Sequence, residues 1–141
     1  KNFHKSSGPI QAAHFDLHPH NFLMKEKKVV AVLDFESCKI MPVNYALAFS
    51  GLKLCKQAVI AHKNKNLAKN FGTRYINILS EFYPPTKSFS KYFYYFALAE
   101  VFRRLFIIFR LNLEKKENQW NKVLPIQLGH IDECEAIFPE F

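Results

Sequence analysis

The spacing of apolar residues changes at Pro42, and this change limits the fold more than any other feature of the sequence. Before Pro42, short apolar runs alternate with polar loops, and the run 22–24 is followed by a charged turn and the β-branched run 29–35. Two such runs predict the strands of a β-hairpin. After Pro42, apolar residues recur at steps of three and four, which is the spacing of helices. We therefore expect an α+β chain that is mostly α.

We expect a single domain, in which residues 1–43 form a loop and hairpin and residues 44–141 form a helical subdomain. Phenylalanine is abundant, with 15 residues in 141, which indicates that large rings fill the spaces between the helices. Proline at 84 and 85 ends the second helix, because proline cannot continue one. The four predicted helices span 44–63, 67–83, a third from Ser88 or Ser90 to about Glu114, and 117–137 with Pro125 limiting or kinking its middle.

The formal net charge of +8 favours anionic partners in general, such as nucleotides, nucleic acids or anionic lipids. The lysines are scattered, however, and no RNA-binding motif or run of basic residues interleaved with aromatic residues occurs. The charge is therefore interpreted as a solvated basic surface, and we predict no nucleic-acid partner.

The three cysteines are odd in number and lack CxxC spacing, which argues against a disulfide framework and a zinc ribbon. This usage favours a reducing compartment, and we expect a cytoplasmic protein. The most apolar stretch, residues 92–113, is too interrupted by charge for a membrane span and predicts a buried helix instead. We therefore expect no membrane partner. The interrupting residues are Glu100, Arg103, Arg104 and Arg110.

Three polar residues in the first part of the chain are spaced so that they could form an active site. Asp16 and Asn21 are five residues apart across a proline-containing loop, and Asp34 ends the second strand of the predicted hairpin. A hairpin of this length returns the chain to its start, so Asp34 can lie beside Asn21. A carboxylate and an amide oxygen suit Mg²⁺ better than zinc. With Asp16 nearby to orient a hydroxyl, this is the arrangement that phosphoryl transfer requires.

The segment HFDLHPHNFL, followed by VVAVLDFE, resembles the catalytic loop of the aminoglycoside phosphotransferase and choline kinase superfamily. The usual form in that superfamily is HGDLHPGN, followed by a hairpin and IDF or IDW. The resemblance implies the C-terminal lobe of a protein-kinase-like fold. It also implies an ATP-dependent enzyme that transfers the γ-phosphate to a hydroxyl of a small molecule, such as an aminoglycoside, choline or a sugar-like compound, with Mg²⁺ as cofactor.

By the same resemblance, each matching residue acquires an expected role. Asp16 is the expected catalytic base, His14 braces the loop, and His18 supports it or lines the substrate side. Asn21 and Asp34 are expected to hold Mg²⁺ and, through it, the nucleotide. Glu36, which stands where protein kinases have Gly, is assigned to the metal site with them.

The sequence also departs from the family pattern. Phe15 and His20 stand where the family often has Gly, and Ala46 stands where it often has Asp. No Gly-rich loop or strand lysine precedes the catalytic loop, since the only glycines are at positions 8, 51, 72 and 129. We therefore expect that the N-terminal nucleotide-binding lobe is absent and that the chain is a fragment, which by itself binds ATP weakly and is inactive.

Other interpretations of the same residues remain open. A non-catalytic, pseudokinase-like binding or interaction module is the alternative function. The alternation of His14, Asp16, His18 and His20 would suit a zinc site on a strand, which Pro19 disfavours. Glu100 with Arg103 and Arg104 is most simply a local helix pair. The acidic residues near the C-terminus are interpreted as a solvated helix end rather than a site for a cationic substrate; they are Asp132, Glu133, Glu135 and Glu140.

Overall fold

Four short strands form two separate antiparallel pairs, in a computed structural model that describes residues 8–115 and 122–139. They are β1 (Ile10–His14), β2 (Phe22–Lys25), β3 (Lys28–Val32) and β4 (Cys38–Pro42). β2 and β3 form the predicted hairpin. Glu26 and Lys27 at its turn have φ of 50° and 63°, the positive values that tight hairpin turns require. The hairpin prediction is thus confirmed, although β3 ends at Val32 and residues 33–35 leave the strand.

The second pair joins β1 to β4, in a register that runs from Ile10 opposite Pro42 to His14 opposite Cys38. One further bond extends it, because the backbone N–H of Phe15 donates to the carbonyl oxygen of Ser37 at 3.2 Å. The sequence did not predict this pairing, since the whole hairpin separates the two strands. Its effect is to hold the loop that follows β1 beside the turn that precedes β4.

Helices account for most of the chain after β4, as predicted. They are α1 (Val43–His62), α2 (Ala68–Phe82), a short α3 (Thr86–Phe89), α4 (Phe93–Lys115) and α5 (Leu124–Ile137). The long third helix begins at Phe93 and not at Ser88 or Ser90, because residues 86–92 form a separate short helix and a 3₁₀ turn. Pro125 lies in the first turn of α5, where no backbone N–H is needed, and does not kink its middle. The predicted start at Glu117 lies outside the described residues.

The core is built mainly from phenylalanine rings, as the composition indicated. Phe49 of α1 and Phe93 and Phe96 of α4 are fully buried, and Phe138 follows α5. Phe15 also enters this core and stacks on Phe49, with ring centroids 5.6 Å apart. The loop after β1 is therefore fixed to the helical part by an aromatic contact. All three cysteines are free thiols. In the part of the chain that the structure describes, no helix is both long enough and apolar enough to cross a membrane.

Gly72 marks the closest approach of α2 to α5. A Cβ at this position would overlap the carbonyl oxygen of Ile137 and would lie 2.9 Å from its carbonyl carbon. Backbone atoms cannot move aside cheaply, so we expect Gly72→Ala to lower the free energy of unfolding by about 3 kcal/mol, at the upper end of overpacking costs. Urea unfolding followed by circular dichroism measures this change.

Gly129 of α5 provides the matched control for that variant. A Cβ there meets nothing within 4 Å. Gly129→Ala should therefore raise the free energy of unfolding by up to about 1 kcal/mol, because alanine favours a helix interior over glycine. Equal effects of the two substitutions would contradict the described packing of α2 on α5.

Candidate active site

His14 connects the two segments that carry the predicted site residues. The backbone N–H of Asp16 donates to His14 Nδ1 at 3.3 Å, and His14 Nε2 lies 2.7 Å from the carbonyl oxygen of Leu33. A single neutral tautomer, with its proton on Nε2, satisfies both bonds. The imidazole thereby links the Asp16 loop to the residue that precedes Asp34.

Asn21 makes a second link between the same segments. Its side chain is 8% exposed, and Nδ2 donates to the carbonyl oxygen of Asp16 at 2.8 Å. The backbone carbonyl oxygen of Asn21 accepts a hydrogen bond from the backbone N–H of Leu33 at 2.9 Å. Because the amide nitrogen is used within the loop, the side-chain oxygen Oδ1 is the atom that can serve an external ligand.

Asp34 lies at the sharp turn between β3 and β4. Its φ of 61° and ψ of 51° are left-handed values, which aspartate tolerates better than most residues. Ser37 stabilises the turn, since its N–H donates to the Asp34 carbonyl at 3.2 Å and its Oγ donates to Oδ2 at 3.4 Å. The Asp34 side chain is exposed, and Glu36 is exposed in the same turn.

The oxygen ligands in this region fit Mg²⁺ better than a metal that needs a complete protein cage. Within residues 8–115 and 122–139, no three side chains among His, Cys, Asp and Glu form a group that could hold a metal ion. Mg²⁺ often takes only one or two carboxylates from a protein and completes its shell with water and phosphate oxygens. The Asp34 carboxylate and the Asn21 amide oxygen supply ligands of that kind.

The Asp16 carboxylate is held by two cations from different helices. Lys53 Nζ of α1 donates to Oδ1, and Arg104 Nη2 of α4 donates to the same oxygen at 3.2 Å. The other oxygen, Oδ2, lies 3.6 Å from His18 Nε2. Burial raises the pKa of Asp16, but the hydrogen bond from Lys53 and the charges of Lys53 and Arg104 outweigh it and leave the pKa below its usual value. Asp16 is therefore ionised at neutral pH.

Behind Arg104 lies a buried carboxylate. Glu100 is 3% exposed and accepts hydrogen bonds from Arg103 at 2.6 and 2.7 Å and from Arg104 at 2.9 Å. The guanidinium of Arg104 also lies 4.4 Å from the centre of the Phe49 ring. The sequence interpretation of these charges as a local helix pair is thus right but incomplete, because Arg104 continues to Asp16. Charges at the centre of the apolar segment 92–113 were the signal for this connection.

A family comparison gives this geometry its context. The model of the phosphotransferase enzyme family matches residues 3–76, just over half of the chain. The chain belongs to the phosphotransferase enzyme family. This result confirms the resemblance carried by the HFDLHPHN segment. Comparisons with curated proteins and with solved structures found no match.

The segment that matches the family model contains only some of the candidate site residues. It includes the loop, the hairpin, β4, α1 with Lys53, and much of α2, but it ends before α4. Arg104 therefore reaches Asp16 from outside the matched segment, as does the Glu100 carboxylate that Arg104 binds. Sequence reasoning did not identify Lys53 as a site residue, and no local motif surrounds it.

The remaining predicted site residue, His18, lies within the loop that contains Asp16. Burial and the neighbouring charge of Lys53 lower the pKa of His18, so its ring is neutral at pH 7. Its ring centroid lies 5.4 Å from that of His20. His14 instead belongs to β1 and faces Leu33, so the histidines do not share one strand face as a zinc site would require.

Proposed function

We propose that this phosphotransferase uses ATP and Mg²⁺ and transfers the γ-phosphate to a hydroxyl of a small molecule. The observation that supports this most directly is the setting of Asp16. Lys53 and Arg104 fix its carboxylate, and its backbone N–H and carbonyl oxygen bond to His14 and Asn21. Phosphoryl transfer uses a fixed carboxylate together with carboxylate and amide oxygens that can bind a metal ion. The resemblance leaves aminoglycosides, choline and sugar-like compounds as acceptor classes.

In this proposal, the two oxygens of Asp16 have different tasks. Oδ1 is engaged by Lys53 and Arg104, so Oδ2, on the side of His18, is the oxygen that accepts the hydrogen bond of the acceptor hydroxyl. Because its pKa is lowered, Asp16 is a weak base. It orients the hydroxyl first and takes its proton only as the bond between oxygen and phosphorus forms.

The proposed metal ligands are the Asn21 and Asp34 oxygens, with Glu36 nearby in the same turn. When bound, Mg²⁺ neutralises charge on the phosphate oxygens. The chain's own contribution is positional. The hydrogen bond between Asn21 and Leu33 connects the Asn21 backbone to the residue before Asp34, and His14 connects the Asp16 loop to the same residue.

We further propose that the chain is the C-terminal lobe of a protein-kinase-like fold and works in the cytoplasm. In this proposal, a nucleotide-binding lobe from outside these 141 residues completes the site. The support comes from the glycines. Gly51, Gly72 and Gly129 lie within helices, so they form no phosphate-binding loop, and the fourth is Gly8. The loop and hairpin carry the chemistry in this view, and residues 44–141 support them.

The metal assignment is tested by replacing Asp34. Asp34→Asn keeps the size of the side chain and removes its charge, so we expect about tenfold or greater weakening of Mn²⁺ binding, because Mg²⁺-type sites rely on so few carboxylates. Electron paramagnetic resonance of free Mn²⁺ measures this on the chain itself. In the full polypeptide that the gene encodes, transfer of ³²P from ATP to a panel of hydroxyl compounds should fall in parallel and stop with a chelator.

Asp132→Asn is the control for that experiment, because Asp132 is an exposed carboxylate on α5. It should bind Mn²⁺ like the original chain. Undiminished Mn²⁺ binding and transfer in Asp34→Asn would refute the assignment of Asp34. Absence of transfer to every hydroxyl compound by the full polypeptide would refute the proposed function.

A further inference from the structure

An open pocket of about 250 Å³ lies on the helical side of the Asp16 loop, between the loop, α1 and α5. Two of the residues that line it, Lys53 and His18, also contact the Asp16 carboxylate. Of the side chains that line it, two are ammonium groups, three are imidazoles and none is a carboxylate. The lining residues are His18, His20, Lys53, Lys56, Gln57, Ile126 and His130.

The carboxylates closest to these cations are already engaged. Asp16 is bonded to Lys53, and Glu133 lies 2.9 Å from Lys56 Nζ and 2.7 Å from His130 Nδ1. Burial raises the pKa of Glu133, but its bonds with His130 and Lys56 outweigh this and lower the pKa, so Glu133 is an ionised and paired group. A cationic ligand would therefore meet carboxylates that already bind protein cations.

The pocket thus offers hydrogen-bond donors to a ligand. A lysine ammonium has three N–H donors, so Lys53 keeps donors after its bond to Asp16. Lys53 and Lys56 are both largely sheltered, with 20% and 21% of their side chains exposed. Partly buried ammonium groups with donors to spare are partners for phosphate or carboxylate oxygens.

We propose that this pocket binds a phosphate or carboxylate group of the acceptor, so that the substrate is an anionic hydroxyl compound and not a cationic one. This inference rests on the proposed function and narrows its acceptor. The anion at Lys53 and Lys56 places the acceptor's hydroxyl toward Asp16 Oδ2. Asn21 and Asp34, the proposed ligands for the metal and nucleotide, are not among the residues that line the pocket.

The test uses the chain itself and needs no transfer reaction. Imidazole resonances are followed by ¹H–¹³C NMR at constant ionic strength during titration with inorganic phosphate, glycerol 3-phosphate or choline. We expect glycerol 3-phosphate and phosphate to shift His18 and His130 in a saturable manner. His62, which packs on Phe71 away from the pocket, should not shift and is an internal control. Shifts of equal size at His62, or saturable shifts with choline and not with phosphate, would overturn the proposal.

Lys56→Gln tests whether the shifts come from this pocket. It should weaken glycerol 3-phosphate binding at least fivefold, whereas Lys69→Gln, at an exposed position on α2, should leave it unchanged. Equal affinity in the two variants would also overturn the proposal. Circular dichroism confirms that both variants are folded.

A separate titration of the full polypeptide with Mg²⁺ and ATP distinguishes the two sources of phosphate. If glycerol 3-phosphate still binds in the presence of Mg²⁺ and ATP, the anion site belongs to the acceptor, as proposed. If ATP displaces it and depends equally on Lys56, the site belongs to the nucleotide and the proposal is wrong. Anion binding in a full polypeptide that transfers no phosphate would refute the proposed function alone. Transfer only to neutral or cationic acceptors would refute this inference alone.

Discussion

Asp16→Asn is expected to lower kcat for phosphoryl transfer by about 100- to 10,000-fold, the range typical of removing a general base. The substitution keeps the shape of the side chain but removes the charge that orients the acceptor hydroxyl. The KM for ATP should change little, because Asn21 and Asp34 are retained. Steady-state kinetics of the full polypeptide measure both parameters, and thermal unfolding shows whether the loss reflects chemistry or folding. A kcat equal to that of the original protein would exclude Asp16 as the base.

Lys53→Met tests the role of Asp16 as the base through the pH dependence of activity. Removing Lys53 takes away the hydrogen bond and the nearest positive charge that lower the pKa of Asp16. The pKa of Asp16 should then rise. Since Asp16 must be ionised to act, activity is lost as pH falls through this pKa, and in the variant the loss should begin at a higher pH. Lys69→Met is the control and should leave the pH profile in place. An unchanged acid limb in Lys53→Met would show that Asp16 does not control it.

Glu100→Gln is expected to lower the free energy of unfolding by about 3 kcal/mol, the cost of breaking a buried ion pair by removing one partner. Glu100 is 3% exposed and balances two arginines. Glutamine would present an NH₂ group toward arginine N–H donors and would leave Arg103 without the Glu100 carboxylate and Arg104 with only that of Asp16. Because Arg104 also bonds Asp16, the same variant should reduce activity.

Glu114→Gln is the matched control for this stability measurement. Glu114 pairs with Arg110 on the same helix at 3.4 Å, but both side chains are more than half exposed. Exposed pairs contribute little, so we expect a change within about 0.5 kcal/mol. Chemical denaturation of the three proteins compares them directly. Equal stability of Glu100→Gln and Glu114→Gln would mean that burial of Glu100 carries no energetic weight.

The parts of the fold that depend on local patterns were predictable. The charged turn between a short apolar run and a β-branched run indicated the hairpin, and the steps of three and four indicated α1 and α2. The start of α4 was predicted too early, because residues 86–92 have helical character but form separate turns. The density of phenylalanine indicated the core, but not that Phe15, next to Asp16, belongs to it.

The parts that depend on distant contacts were not predictable. Lys53 and Arg104 are 37 and 88 residues from Asp16. No local motif surrounds Lys53, and the apolar segment around Arg104 marked its charge as unusual without indicating Asp16 as its partner. Pairing of β1 with β4 is likewise set by tertiary structure and not by β propensity. The motif around Asp16 indicated the candidate site residues, whereas the groups that hold the Asp16 carboxylate became apparent only from the packing of α1 and α4.

The pairing of β1 with β4 has a consequence for how this site can vary. His14 and Cys38 close a loop whose outermost part is the turn at Glu26 and Lys27. The entropy cost of closing a loop rises only slowly with its length. Insertions at that turn therefore lengthen the hairpin without moving its base, where Asp16, Asn21 and Asp34 lie. Changes of sequence at the tip are thereby separated from the candidate site at the base, so the tip can acquire new contacts.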